Sequence, residues 1–406
     1  MSTSCSCVGS CFDSCSVSFP GLGARFSRSL RALVLFSATG LVGIAALTAG
    51  GCGSGGSHQS SENMAGPEAY KPLAAEFSKV GYGWDWSGFP LPDRGEKIKF
   101  ITAYPDAVVV QDTGSKLTVL EPSNGRLRWS DELANRITKF VGLARDPDPA
   151  RGDRIISSSE SEAFVVSMRT GEITSRQRFE KVVNTRPVMF GTMAVYGTPA
   201  GELMGHNIAS NLRVWGYMAA GPIEFAPVRV GFAVGGVTQD GFVSFVDPVS
   251  GSLIGRTKLF GGVATEPVSD GNLMFVASLD QSLYAISPGG TLAWRHRTSE
   301  PLTTQPAVVG NTVYCSTADE GFTAFDAATG SIRWSTNEVT GTVLGTKKGR
   351  LVVWNGSALT LVDAQRGTVV ERANLPGLSK LVFDSFDDGN LYAVNSAGVV
   401  GKFLPK

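Results

Sequence analysis

Few side chains in this 406-residue chain have the types and spacing that catalysis requires. Two of its three histidines, His206 and His296, lie in the body of the chain. His206 occupies a position that Leu120, Val166, Val246, Ile286, Phe325 and Val362 fill elsewhere, so it reads as a satisfied structural histidine rather than a ligand. His296 stands between Arg295 and Arg297 and reads as part of a solvated strand. No Ser-His-Asp order, phosphate-cradling glycine loop or oxygen-ligand calcium loop stands out. Asp384, Asp387 and Asp388 precede Gly389, but acidic hairpin turns have the same composition. Cys315, in the β-rich stretch Thr312 to Ser316, reads as a small buried hydrophobe. The residues therefore nominate no catalytic group and no metal site.

One residue near the start does carry chemistry. Arg25, Arg28 and Arg31 precede a mostly apolar run from Ala32 to Ala49, and Ala49-Gly50-Gly51-Cys52 follows. A basic region, an apolar region and small residues before a cut form a secretory signal. The cysteine after the small residues resembles a bacterial lipobox, with Ala49 where Leu is usual, so Cys52 is the expected lipid-attachment site. The alternative is an uncleaved anchor, since the apolar run is just long enough to span a bilayer. Either reading puts the bulk of the chain outside the cytoplasm. Cys5, Cys7, Cys11 and Cys15 precede the signal without a histidine and read as leader. Residues 1–51 are thus expected to be signal and leader, and 52–79 a lipidated cysteine and flexible tether containing a short helix from Pro67 to Phe77. The folded domain is expected over 80–406.

The elements that would position any site come from a repeat. The stretch Gly321 to Phe325, the turn Asp326-Ala-Ala-Thr-Gly330 and Ser331 to Trp334 read as strand, turn, strand. The turn recurs at glycines 125, 171, 251, 290, 330 and 367, with Asn211 standing in once; the spacings are 46, 40, 40, 39, 40 and 37 residues. The turn opens on a residue able to accept a backbone N–H and closes where φ > 0 is needed. Four residues later comes Trp129, Trp215, Trp294 or Trp334, fit to pack between neighbouring units. A period of about 40 with strand signals throughout predicts an all-β propeller of four-stranded antiparallel blades. The C-terminal repeat has only three strands, from Leu378 to Phe403. Gly81 to Phe89, with Trp86 in the tryptophan position, is expected to supply the fourth and close eight blades; seven is the alternative.

The form D-A-x-T-G-x-x-x-W over Asp326 to Trp334 resembles the repeat of pyrroloquinoline-quinone-type propellers, over about 320 residues. Quinone dehydrogenases of this kind hold the quinone with Ca²⁺ in the channel, commonly under a vicinal disulfide, and are longer. This chain has no adjacent cysteine pair, so neither the quinone nor calcium is expected as cofactor. It is more similar to the non-enzymatic outer-membrane assembly lipoproteins of the BamB kind. That resemblance implies a membrane-tethered scaffold on the periplasmic face of the outer membrane (inner-membrane anchoring is the alternative), with envelope proteins as partners. A quinone-dependent enzyme and a carbohydrate- or small-ligand-binding propeller remain the competing readings.

Arg186, Ala226, Glu266 and Gln305 precede the prolines that open successive blades. First strands line the channel of a propeller, so Arg186, Glu266 and Gln305 are candidate channel-mouth binding residues, with ordinary polar lining as the plainer reading. The polar insertion Arg145 to Arg154 and the apolar Gly216 to Ile223 are candidate partner loops. The second carries Tyr217 and Met218, types enriched at interfaces. Without residues 1–51 the chain has 33 basic against 35 acidic residues and no basic stripe, which excludes nucleic acid as an expected partner. A Cys52→Ala variant is expected to leave the membrane fraction. A full-length species remaining there would establish the uncleaved anchor.

Overall fold

The computed structural model describes residues 66–406, apart from 149 and 151. Among the described residues, thirty-two strands form eight separate four-stranded sheets. Blade 1 comprises Ile98–Tyr104, Ala107–Asp112, Lys116–Leu120 and Leu127–Glu132, hydrogen-bonded in chain order. The following blades open on Phe140–Asp148, Val188–Phe190, Val228–Val230, Val268–Ser269, Ala307–Val309, Thr342–Lys347 and Leu378–Phe383. These inner strands neighbour one another around the channel. Second and third strands are the most buried, as in Ala107–Asp112, because both of their faces meet another blade. Antiparallel pairing puts the inner-to-second and third-to-outer turns on one face of the disc, the turn face. The second-to-third turns and the connections between blades lie on the opposite, connector face.

Sequence chemistry explains each third-to-outer turn. The Asp326 carboxylate accepts the N–H groups of Ala328 and Thr329, and Asp247, Asp363 and Asn207 cap their turns in the same way. The turn closes at positive φ: 72° at Gly330 and 55° at Asn211. Glycine at this place also makes room. A methyl group on Gly330 would lie 2.5 Å from Cδ2 of Trp294 in the preceding blade. The same indole donates its N–H to Ala327 O at 2.8 Å. Trp129 donates to Met168 O, Trp215 to Pro248 O and Trp334 to Ala364 O, always to the second residue of the next blade's turn.

Closure follows the same rule. Tyr82–Gly88 pairs antiparallel with Val400–Pro405, so the outer strand of blade 8 comes from the N-terminal side and its other three from the C-terminal end. Trp86 then occupies the tryptophan position and donates to Pro122 O of blade 1 at 3.0 Å. The buried Lys402 ammonium donates to the same carbonyl at 2.8 Å. The expected eight-bladed propeller is therefore the observed fold.

The expected tether is different at its end. A 3-10 turn, Lys71–Leu73, leads into a helix, Ala74–Lys79, that is packed into the core of blades 7 and 8. Phe77 stacks on Phe403 with ring centroids 3.6 Å apart, and the Tyr70 hydroxyl lies between Ala393 O and Val399 O, at 2.7 and 2.8 Å, sharing its one proton with them. Tyr70, Phe77 and Val80 supply the apolar face, which the polar composition just before them concealed. The Cys52 assignment and the signal lie outside the described residues. Phe77→Ala and Trp86→Ala are each expected to lower unfolding free energy by about 3–5 kcal/mol in chemical denaturation. A change at Phe77 within experimental error would return this segment to the tether.

Candidate functional site

The channel mouth on the connector face brings together two of the three residues singled out there. Arg186 Nη2 lies 2.6 Å from Glu266 Oε2, an ion pair joining blades 3 and 5. Blade 4, between them, has the buried Ala226 at the matching position, and its short side chain leaves the path open. Both ends of the pair retain solvent contact, so it fixes geometry more than it stabilises. Gln305 is half-buried in blade 6 and is not part of this pair. The neighbouring Thr185 is buried and accepts the N–H of Gly197, which anchors the strand start that aims Arg186.

A channel cavity of about 610 Å³ is lined by Lys99, Tyr104, Arg186, Trp354 and Lys380 among others. The Lys99 ammonium donates to Phe140 O at 2.6 Å, and burial lowers its pKa below the usual lysine value. The lining contributes three cations and no carboxylate. Ca²⁺ takes oxygen ligands, commonly carboxylates, so this donor set does not fit a calcium-bound quinone. Among the described residues no three His, Cys, Asp or Glu side chains are grouped to hold a metal ion.

The first candidate partner segment takes a different form from the loop expected, and the second is a loop only beyond Met218. Arg145 to Arg154 belongs to a hairpin, because the inner and second strands of blade 2 extend to Asp148 and from Gly152. Arg145 secures it to blade 1: its guanidinium holds Asp106 at 2.7 Å, pairs with Asp153 and lies 4.7 Å from the Tyr104 ring centroid. Arg154 pairs with the buried Asp146. Tyr217 and Met218 lie in the outer strand Leu212–Met218 of blade 3, because β pairing with Leu203 and Glu202 continues through them. Tyr217 is half-buried, while Met218 is 59% exposed. Sequence reasoning missed the companions of Met218 on the connector face. Phe260 is 80% exposed and Leu279 41%, with the Arg295 guanidinium 4.7 Å from the Phe260 ring. A phenylalanine beside Gly261 and Gly262 in a between-blade connection was the available signal.

His206 is buried, and its Nε2 lies 2.8 Å from Gln177 Oε1. Gln177 in turn donates to Ile208 O at 2.9 Å. This pair does the work that an indole does elsewhere, since blade 2 presents Ser175 at the tryptophan position. The uncovered turn can then carry Asn211 in place of glycine. His296 is half-buried, hydrogen-bonded to Glu320 and packed on Phe325. Cys315 is buried, and that burial pushes its thiol pKa up to about 12. Asp387 accepts from Thr346 Oγ1 and Asp388 from Lys348 N, so the acidic cluster docks a loop onto blade 7.

The family model described as outer membrane protein assembly factor BamB matches residues 97–217 and 239–400, from the first strand of blade 1 into the last of blade 8. The chain belongs to the BamB family. The BamB of Burkholderia pseudomallei is 31% identical over 115 residues, 28% of this chain and 30% of that protein. The quinoprotein alcohol dehydrogenase PedH of Pseudomonas putida is 24% identical over 238 residues, 55% of this chain and 36% of that one. The chain thus spans about a third of the length of each of these relatives. The crystal structure of BamB from Moraxella catarrhalis superposes with a TM-score of 0.59 at 19% identity, covering 75% of this chain and 93% of that one, a likeness of fold.

Burial lowers the His206 pKa below the ordinary histidine value. In the window from about pH 6.5 down to that lowered value, the unfolded chain binds a proton that the folded chain does not. Stability from this site is whole above the window and is lost as pH falls through it. Between pH 7 and 5 the protein is expected to lose unfolding free energy more steeply than His206→Asn. Equal slopes in denaturation would show that the ring titrates freely.

Proposed function

We propose that this protein is a non-catalytic propeller of the bacterial cell envelope that holds partner proteins of the outer-membrane assembly machinery. The observation that carries this reading is the BamB-family match over residues 97–217 and 239–400, which includes part or all of every blade. In this reading Cys52 is acylated after signal cleavage and tethers the disc to the outer membrane on its periplasmic side. The acyl chains give firm attachment where a single chain would hold only marginally.

The connector face of blades 3 to 5 is the proposed contact surface. Met218, Phe260 and Leu279 offer exposed apolar area on a rigid support, and Arg295 above the Phe260 ring adds a residue type common at interfaces. The cavity lining offers Ca²⁺ no carboxylate, and the protein is proposed to need neither the quinone nor calcium.

Photo-cross-linkers placed at Met218 and Phe260 in cells are expected to capture a component of the outer-membrane assembly machinery repeatedly. The same probe at Val249, exposed on the turn face, is expected to capture it much less. Equal capture from both faces would refute the assigned surface. Dye-linked alcohol oxidation by protein reconstituted with quinone and Ca²⁺ would refute the non-catalytic reading.

A further inference from the structure

Blade 8 lacks a third-to-outer turn, because its third strand ends at Pro405 and its outer strand begins at Tyr82. A concavity of about 400 Å³ lies beside this place, on the turn face. Four of its lining cations are Lys347, Lys348, Arg350 and Lys406; Lys79 also lines it but is paired with Glu76. Glu371 of blade 7, in the position that holds tryptophan elsewhere, is the one acidic side chain in the lining. With no turn to cover in blade 8, the indole has no role at that position.

Lys347, Lys348 and Lys406 are held by main-chain and hydroxyl oxygens. Lys347 is only 4% exposed, and its ammonium donates to Val80 O and Gly81 O and lies 4.4 Å from the Tyr82 ring centroid. Burial, the leading cause, lowers its pKa to about 8. Lys348 Nζ donates to the main-chain oxygen of Lys406 at 2.8 Å, and Lys406 Nζ lies 3.4 Å from Ser78 Oγ. Among the described residues, no side-chain carboxylate lies within 4 Å of the charged groups of Lys347, Lys348, Arg350 or Lys406. Asp388 is nearby and accepts the main-chain N–H of Lys348. Four cations thus face Glu371 and Asp388, and Lys348, Arg350 and Lys406 are exposed.

We infer that this concavity binds a phosphate group. Several donors converging from the Lys347–Arg350 hairpin and from beyond the strand Val400–Pro405 suit an oxyanion with several acceptor oxygens, and the arginine fork matches two of them at once. The same chemistry is offered by a free phosphate monoester and by the headgroup of an anionic phospholipid. The inference stands independently of the partner-binding role.

Non-acylated protein carrying Cys52→Ser is titrated by calorimetry with glycerol 3-phosphate. It is also titrated with phosphatidylcholine vesicles, with and without phosphatidylglycerol. Saturable binding is expected in at least one arm, weakened about tenfold or more by Lys348→Gln with Arg350→Gln. Arg94→Gln with Arg126→Gln, two exposed cations elsewhere, is expected to leave it unchanged. Binding of glycerol 3-phosphate would assign the site to free phosphate monoesters; binding only to phosphatidylglycerol vesicles would assign it to lipid headgroups. No saturable binding in either arm, or equal weakening by the control pair, would overturn the inference.

Discussion

The indole of one blade lying on the turn of the next holds this propeller in register. Each such contact combines a large apolar surface removed from water with one N–H···O=C bond worth about 1 kcal/mol net. It demands glycine on the facing turn, since a side chain at Gly125 or Gly330 would enter the ring of Trp86 or Trp294. The capped turn and the tryptophan are therefore two halves of one interaction, contributed by successive blades. A change in either half is felt at the seam between them.

The seams without an indole show how strict the coupling is. Between blades 2 and 3, Gln177 reaches Ile208 O with His206 behind it, and the facing turn carries Asn211. Between blades 4 and 5 the turn around Gly289 rests directly on Gly255, where any side chain would collide. Between blades 7 and 8 there is no turn, and Glu371 lines an open concavity instead. Loss of the indole is matched each time by a change in what faces it.

Rigidity of this kind shapes what the surfaces can do. The ion pair Arg186–Glu266 crosses the channel mouth on strand starts fixed by buried neighbours such as Thr185. The hairpin around Arg145 is tied to blade 1 by Asp106, so a segment rich in polar residues is held in place. Met218, Phe260 and Leu279 are exposed on the connector face of blades 3 to 5. A disc with fixed faces suits binding, because a partner meets a surface already ordered.

The periodic features could be read from the residues alone: the blade, the capped turn, the tryptophan position and the closure through Trp86. These depend on local chemistry repeated every 40 residues or so, and repetition makes a weak local signal readable. The structural role of His206 was also legible, because seven positions could be compared. The remaining contacts depend on how the folded ring brings distant residues together. Phe77 could become core only once Phe403, more than 300 residues away, was brought beside it. Arg186 and Glu266 are 80 residues apart and meet because the ring curves around a channel. The cations at Lys347, Lys348, Arg350 and Lys406 converge because the ring closes between the two ends of the folded chain. No periodicity encodes such contacts, since each occurs once.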